Sequence, residues 1–232
     1  MVAAHTGAVN GAVPGAGDGI QCGVPSRTVR RATRAPVTMT IHRLLSPRDF
    51  RRVPWRNGAG HTSEIAAGPD AEAFAWRVSI AEIERDGPFS DWPGVDRTLV
   101  LLDGRGVVLA QDDVEVAMLA QHEPYRFAGD RACSCRLVRG PARAFNLMVR
   151  RTRARGDVVV VEGAAAIAGP FRHGVCYAAQ GASECLLPGH APIGVAPGHA
   201  LVVDAGERIA SMHVNPIDAG AVAIVAAVVA GE

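Results

Sequence analysis

A chain of 232 residues is long enough for one large domain or two small ones. Its 48% hydrophobic and 20% charged residues are ordinary for a globular protein, and a net charge of +1 gives no electrostatic case for nucleic acid or an anionic membrane as a partner. Five cysteines, an odd number without a CxxC spacing, predict reduced thiols in a cytoplasmic setting rather than a disulfide framework. The most apolar stretch, Ala219 to Ala230, falls short of the roughly 20 residues a membrane-spanning helix needs, and its Val and Ile content suits a buried terminal strand.

Residues 1–38 are Ala, Gly, Val and Arg with scattered Pro and have no hydrophobic periodicity. Such a segment cannot bury enough apolar area to offset ordering, so it is expected to be a disordered extension, with Met39 as the alternative start. Arg30-Arg31 is not followed by an apolar run, which argues against an export signal. Ser46-Pro47-Arg48-Asp49 reads as a short helix start, with Ser46 as N-cap, Pro47 at N1 and Asp49 completing a capping box. Phe50 is its apolar anchor and Pro54 is expected to end it.

The next stretch runs Trp55-Arg56-Asn57-Gly58-Ala59-Gly60-His61-Thr62-Ser63-Glu64-Ile65. Two glycines predict a tight turn, and the alternation from Thr62 predicts a strand after it. A phosphate-cradling glycine loop would open a helix instead, so phosphate is not the expected ligand. Thr62 and Glu64 share one strand face. From Phe74 the period is two: Phe74, Trp76, Val78 and Ile80 lie on one face, and Ala75, Arg77, Ser79 and Ala81 on the other. Small side chains around one guanidinium leave room for a ligand beside Arg77.

Further strands are expected at 97–103 and 107–110, joined by a hairpin marked by Gly104 and Gly106, then at 114–120, 132–139 and 144–149. Arg150 to Gly156 reads as a solvated basic connector. Strands resume at 158–162, 173–178, 184–187, 192–196, 200–204, 211–214 and 221–229. Many short strands separated by turn signals predict an all-β sandwich or barrel with a few short helices. Three segments follow: the extension 1–38, a first unit 39–150 and a smaller second unit 151–232.

The motif Trp55 to Ile65, then Trp76-Arg77-Val78-Ser79-Ile80-Ala81, Asp86 to Thr98 and Phe145-Asn146-Leu147-Met148, resembles the HutD/Ves family in order and spacing. The resemblance covers most of 39–150 and is weak beyond it; Trp92 stands where the family motif would have Phe or Tyr. It implies a double-cupin fold, a homodimer, and a small-molecule-binding regulator associated with bacterial histidine utilisation rather than an enzyme.

Many cupins hold a metal on two His two apart with a Glu and a further His, but the chain has no His-x-His. His190, His199 and His213 fall on different expected strands, so neither a metal nor another cofactor is expected. No Gly-x-Ser-x-Gly elbow is present, and Cys133 and Cys135, two apart on one strand face, read as structural thiols. Arg77 and Arg97 are the informative charges. They either pair with Glu64 or Asp96 within the sheet, or meet a ligand carboxylate with their planar forks. Asn146, among apolar neighbours, needs either a ligand or a backbone partner, and Trp55 either packs or stacks.

The expected ligand-binding set is Trp55, Asn57, His61, Thr62, Glu64, Arg77, Arg97 and Asn146, around a small acidic metabolite such as urocanate or an acylated glutamate. The alternative is a metal-independent isomerase or hydrolase on a similar acid, with Glu64 or His61 as general base.

Overall fold

The computed structural model describes residues 40–55, 60–69 and 73–230, all within one compact unit. The expectations for 1–38 and Met39 lie outside the described residues. The chain opens with β1 (Thr40–Leu45), a single 3₁₀ turn (Pro47–Asp49) and β2 (Arg51–Pro54). It continues with β3 (Gly60–Gly68), β4 (Trp76–Ile83), β5 (Gly87–Pro88), β6 (Val95–Asp103), β7 (Val107–Gln111) and β8 (Val114–Met118). Next come β9 (Pro124–Ala128), β10 (Cys133–Leu137), β11 (Ala142–Arg150) and β12 (Ala154–Val161). The last five are β13 (Ala165–Gln180), β14 (Ser183–Leu186), β15 (Ile193–Val195), β16 (Ala200–Pro216) and β17 (Val222–Ala230).

Three antiparallel sheets result. A six-stranded sheet runs β2-β3-β4-β11-β6-β9, and a four-stranded sheet β5-β10-β7-β8 covers part of one of its faces. A seven-stranded sheet, β12-β17-β13-β16-β14-β15 with β1 paired to β16, packs on its other face. β1 therefore belongs to the sheet of the second half, and the chain crosses to the first half through the 3₁₀ turn.

The alternation in the sequence explains why the six-stranded sheet can be used on both sides. Trp76, Val78 and Ile80 of β4, with Phe145 and Leu147 of β11, share one apolar cluster with Val175, Tyr177, Val202 and Ile224 of the seven-stranded sheet. On the opposite face Ala81, Ile83, Leu99, Leu101 and Ala144 meet Val107, Leu109, Cys133 and Cys135 of the four-stranded sheet. The two faces differ by one residue along each strand, so register decides which side chains are glued and which are free.

Several expectations are revised. Helix is confined, among the described residues, to the one turn at 47–49, where Asp49 Oδ2 accepts hydrogen bonds from the Ser46 N–H (2.8 Å) and hydroxyl (2.7 Å). The turn ends at Asp49 rather than at Pro54, because residues 51–54 pair with β3. Phe74 precedes β4 and packs with Val95, Met148 and Trp92 instead of joining the Trp76 face. β9 escapes notice because a Pro opens it, a position tolerated at a sheet edge. The segments 200–204 and 211–214 form one long bent strand, paired to β13 across register shifts at 168–173.

The solvated basic connector expected at 150–156 narrows to the exposed turn 151–153 between β11 and β12, and its arginines are paired. Arg151 bonds Asp96 (2.6 Å) and Asp130, Arg153 donates to the Ala73 carbonyl (2.9 Å), and Ala154 already begins β12. Gly104 and Gly106 do mark the turn after β6, at φ of 105° and 115°, but it is no hairpin: β6 and β7 belong to different sheets and do not pair, so the turn carries the chain from the six- to the four-stranded sheet. A Cβ on Gly104 would lie 2.8 Å from the Pro141 carbonyl oxygen, which leaves no room for a side chain.

Phe145 is fully buried at the seam between the six- and seven-stranded sheets, with its ring centroid 6.1 Å from that of Tyr177. Phe145→Ala should cost about 3–5 kcal/mol in urea-induced unfolding, the usual range for emptying a buried aromatic site. A loss below about 1 kcal/mol would show that the seam is not a packed core.

Candidate functional site

The inward face of the six-stranded sheet carries an unusual row. Register places Met148 of β11 opposite both Arg77 of β4 and Arg97 of β6, and Arg97 opposite Phe127 of β9. The next row along the same face reads Arg51, Glu64, Ser79, Asn146 and Leu99. A cavity of about 600 Å³ lies on this face, and its described lining includes Arg51, Thr62, Glu64, Arg77, Arg97, Asn146 and Met148 of these strands, with Trp55 beside them. The loop residues Phe89, Ser90, Asp91 and Trp92 close its other side.

Each guanidinium is held by rings rather than by a carboxylate. Arg77 lies 4.9 Å from the Phe74 ring centre and 5.0 Å from that of Trp92, and its Nη2 donates to Met148 Sδ at 2.9 Å. Arg97 lies 4.9 Å from Phe89 and 4.8 Å from Phe127 and is only 8% exposed. Neither has a carboxylate within ion-pair range among the described residues. The Nε of both arginines, the Ser79 hydroxyl and Asn146 Oδ1 are buried without a hydrogen-bond partner. Four orphaned polar atoms on one face of one sheet are costly, and a polar ligand would relieve them.

The electrostatics follow from this enclosure. Burial pushes Arg77 below the ordinary arginine range, offset in part by Glu64 and deepened by Arg51. Burial pushes Arg97 further, down to about 10. Glu64, the buried carboxylate of the cavity, is engaged by Arg51, whose Nε and Nη2 donate to Oε1 at 3.2 and 3.0 Å. Trp55 Nε1 donates to the Thr62 hydroxyl (2.7 Å), and its ring meets Phe89 edge-on at 5.7 Å. The two intramolecular partners expected for the arginines are thus taken elsewhere, Glu64 by Arg51 and Asp96 by Arg151. Behind the site, burial raises the Cys133 thiol and pushes Cys135 up to about 12, so neither is an activated nucleophile.

Of the residues expected at the site, Trp55, Thr62, Glu64, Arg77, Arg97 and Asn146 come together. Asn57 lies outside the described residues, although the Trp55 N–H donating to the Gly60 carbonyl (3.0 Å) closes the ends of its segment. His61 does not join them. It sits on the opposite face of β3, with Nδ1 3.2 Å from Glu84 Oε1, so it cannot serve as a base in the cavity. The sequence reading missed Arg51, Phe89, Phe127 and Met148. The strand period at 144–149 already puts Met148 on the Asn146 face and could have found it; nothing local in Arg51-Arg52-Val53-Pro54 points to Arg51.

A cupin metal does not fit this cavity. The lining offers Glu64 and Asp91 as carboxylates but no histidine or cysteine, and Glu64 is tied to Arg51.

The cavity-bearing six-stranded sheet, flanked by the four- and seven-stranded sheets within one compact unit, gives an all-β protein of the double-cupin class. The HutD family model matches residues 47–222, and the chain belongs to that family. It is 39% identical over 138 residues to Protein Ves of Cronobacter sakazakii, covering 58% of this chain and 76% of that one. It is also 39% identical over 121 residues to an uncharacterized 21.2 kDa protein of Pseudomonas putida from the hutC 3' region, covering 50% of this chain and 64% of that one. Among solved structures, HutD from Pseudomonas fluorescens SBW25 superposes with a TM-score of 0.72 at 27% identity, over 83% of this chain and 100% of that one. Among the described residues, no helix is long and apolar enough to cross a membrane.

A base whose folded-state pKa lies below its unfolded value destabilises the fold while it remains charged. For Arg97, two cation–π contacts of about 0.5–2 kcal/mol each work against a desolvation cost of several kcal/mol. Desolvation should win. Arg97→Met is therefore expected to raise the ligand-free unfolding free energy by about 1–3 kcal/mol in urea titrations. A lowered value would mean that the guanidinium holds the fold together.

Proposed function

We propose that this protein binds a small carboxylate metabolite in the first-unit cavity, with Arg77 and Arg97 as the charged anchors. One observation carries the reading: two guanidiniums face one cavity, buried on rings, with no carboxylate partner among the described residues. A planar fork matches a carboxylate with two parallel N–H donors, and a low-dielectric pocket strengthens such a pair. Asn146 Oδ1 and Glu64 then supply acceptors for N–H or O–H groups of the ligand, while Trp55, Phe89 and Met148 cover its apolar part.

Family membership, and the hutC 3' location in the name of the Pseudomonas putida relative, support an acid of histidine catabolism, urocanate or an acylated glutamate. The protein would act as a cytoplasmic, homodimeric regulator, either by sequestering that acid or by a ligand-dependent contact. Its cavity supplies recognition but no evident catalytic pair: His61 faces outward and Glu64 is neutralised by Arg51.

Calorimetric titration with urocanate, glutamate and N-acylated glutamate tests this. One of these acids should bind, and Arg97→Met and Arg77→Met should each weaken it by about 10- to 100-fold, the worth of hydrogen bonds to a charged group. Arg97→Lys should not restore binding, because an ammonium lacks the fork. Binding unchanged in both Met variants would refute the assignment. Turnover of the acid in the same mixtures, abolished by Glu64→Gln, would replace the binding reading with a metal-independent isomerase or hydrolase.

A further inference from the structure

β3 sends Thr62 and Glu64 into the cavity and His61 and Ser63 to the outside. Outside, His61 is register-paired with Glu82 of β4, and Glu84 follows two residues later on the same face. One histidine nitrogen and one carboxylate oxygen from each Glu lie within 4.8 Å of one another. His61 Nδ1 and Glu84 Oε1 are 3.2 Å apart. A tetrahedral ion with bonds of about 2.0–2.1 Å needs its ligand atoms about 3.3 Å apart, so small side-chain rotations complete the triangle.

Glu82 is already oriented. The Ser63 hydroxyl donates to its Oε1 at 3.0 Å, and Arg52 Nη2 donates to its Oε2 at 3.1 Å. Ligating carboxylates are commonly fixed by such outer contacts, and the paired strands β3 and β4 hold His61 and Glu82, with Glu84 directly after the end of β4. His61 and Glu84 are part-exposed, at 34% and 48% of their side chains, so an ion has access without any opening of the fold.

We infer that His61, Glu82 and Glu84 form a surface site for a divalent transition metal of the zinc type, on the outer side of the cavity wall. The donor set selects the class. One imidazole with two carboxylates suits zinc, cobalt or nickel, whereas calcium takes six to eight oxygens and magnesium keeps a largely aqueous octahedron. Three protein ligands leave one position open to water or to a partner. Sequence spacing does not reveal the site, because its carboxylates come from the neighbouring strand rather than from the residues flanking His61.

The test is calorimetric titration of tag-free, full-length protein with zinc chloride, with cobalt(II) visible absorption as a second readout. One equivalent should bind, cobalt should give the intense bands of a four-coordinate N/O site, and His61→Ala and Glu84→Gln should each weaken zinc binding at least tenfold. Both substitutions alter part-exposed side chains, and circular dichroism confirms that the fold is kept. His61→Ala should leave carboxylate binding in the cavity unchanged, so this site and the cavity reading fail independently. Undiminished zinc affinity in His61→Ala would place the ion on other histidines and overturn the assignment, as would the absence of zinc binding to the wild type at submillimolar metal.

Discussion

The six-stranded sheet depends on one constraint: both of its faces are occupied, and they want opposite things. One face must be apolar to seal against the seven-stranded sheet, through Trp76, Val78, Ile80, Phe145 and Leu147. The other carries Arg77, Asn146 and Arg97 around a cavity. Alternation along β4 and β11 satisfies both at once, but only in one register. A slip of one residue would bury two guanidiniums in the seam and turn the aromatic seal toward the cavity. The apolar seam, worth about 25 cal/mol per Å² of buried surface, makes that slip prohibitive. The polar face is thus positioned by the energetics of the face behind it.

Holding two unpaired cations inside a β unit is then a question of how their cost is limited. Rings do this without neutralising the charge. Phe74 and Trp92 flank Arg77, and Phe89 and Phe127 flank Arg97, each within about 5 Å of the guanidinium carbon. An ion pair would have been cheaper, yet the available carboxylates are assigned elsewhere: Glu64 to Arg51 and Asp96 to Arg151. That distribution leaves both forks available while the side chains stay fixed. Preorganised donors in a dry pocket bind an anion more tightly than the same groups in water, and the fold carries the cost in the ligand-free state.

How much of this is legible from residues alone depends on whether a signal is local. Arg77 is legible because alternation from residue 76 is clean, and Arg97 because it shares an expected strand face with Leu99 and Leu101. Trp55, Thr62 and Glu64 follow from a turn-then-strand reading, and the turn glycines 104 and 106 from their spacing, though not that their turn changes sheets. What pairs with what is not legible. Arg51 reaches Glu64 from thirteen residues away on an edge strand with no pattern of its own. His61 looks like a companion of Glu64 by sequence distance, yet the pleat sends them to opposite faces. The aromatic flanks come from β9, whose Pro disguises a strand, and from the loop at 89–92. Long-range packing supplies these, and no window of sequence contains it.

Two interiors, one against the six-stranded sheet and one against the seven-stranded sheet, also differ in what they can hold, and the difference is one of volume. In the second, Phe171, Cys176, Cys185, Leu187, Leu201, Ile209 and Met212 fill the space between the strands as a continuous apolar cluster. In the first, two inward arginines are drawn back against aromatic rings beside the open cavity. A strand framework of given size encloses a set volume, so filling it with branched and aromatic side chains and keeping it open are alternative uses. The filled unit supplies rigidity. Its sheet presses on the back of β4 and β11, the strands that carry Arg77 and Asn146, and β1 fastens the chain to it before β2 and β3 begin the cavity wall. Loosening of the second unit would therefore reach the site through β4 and β11, as a loss of preorganisation rather than as a loss of any ligand contact.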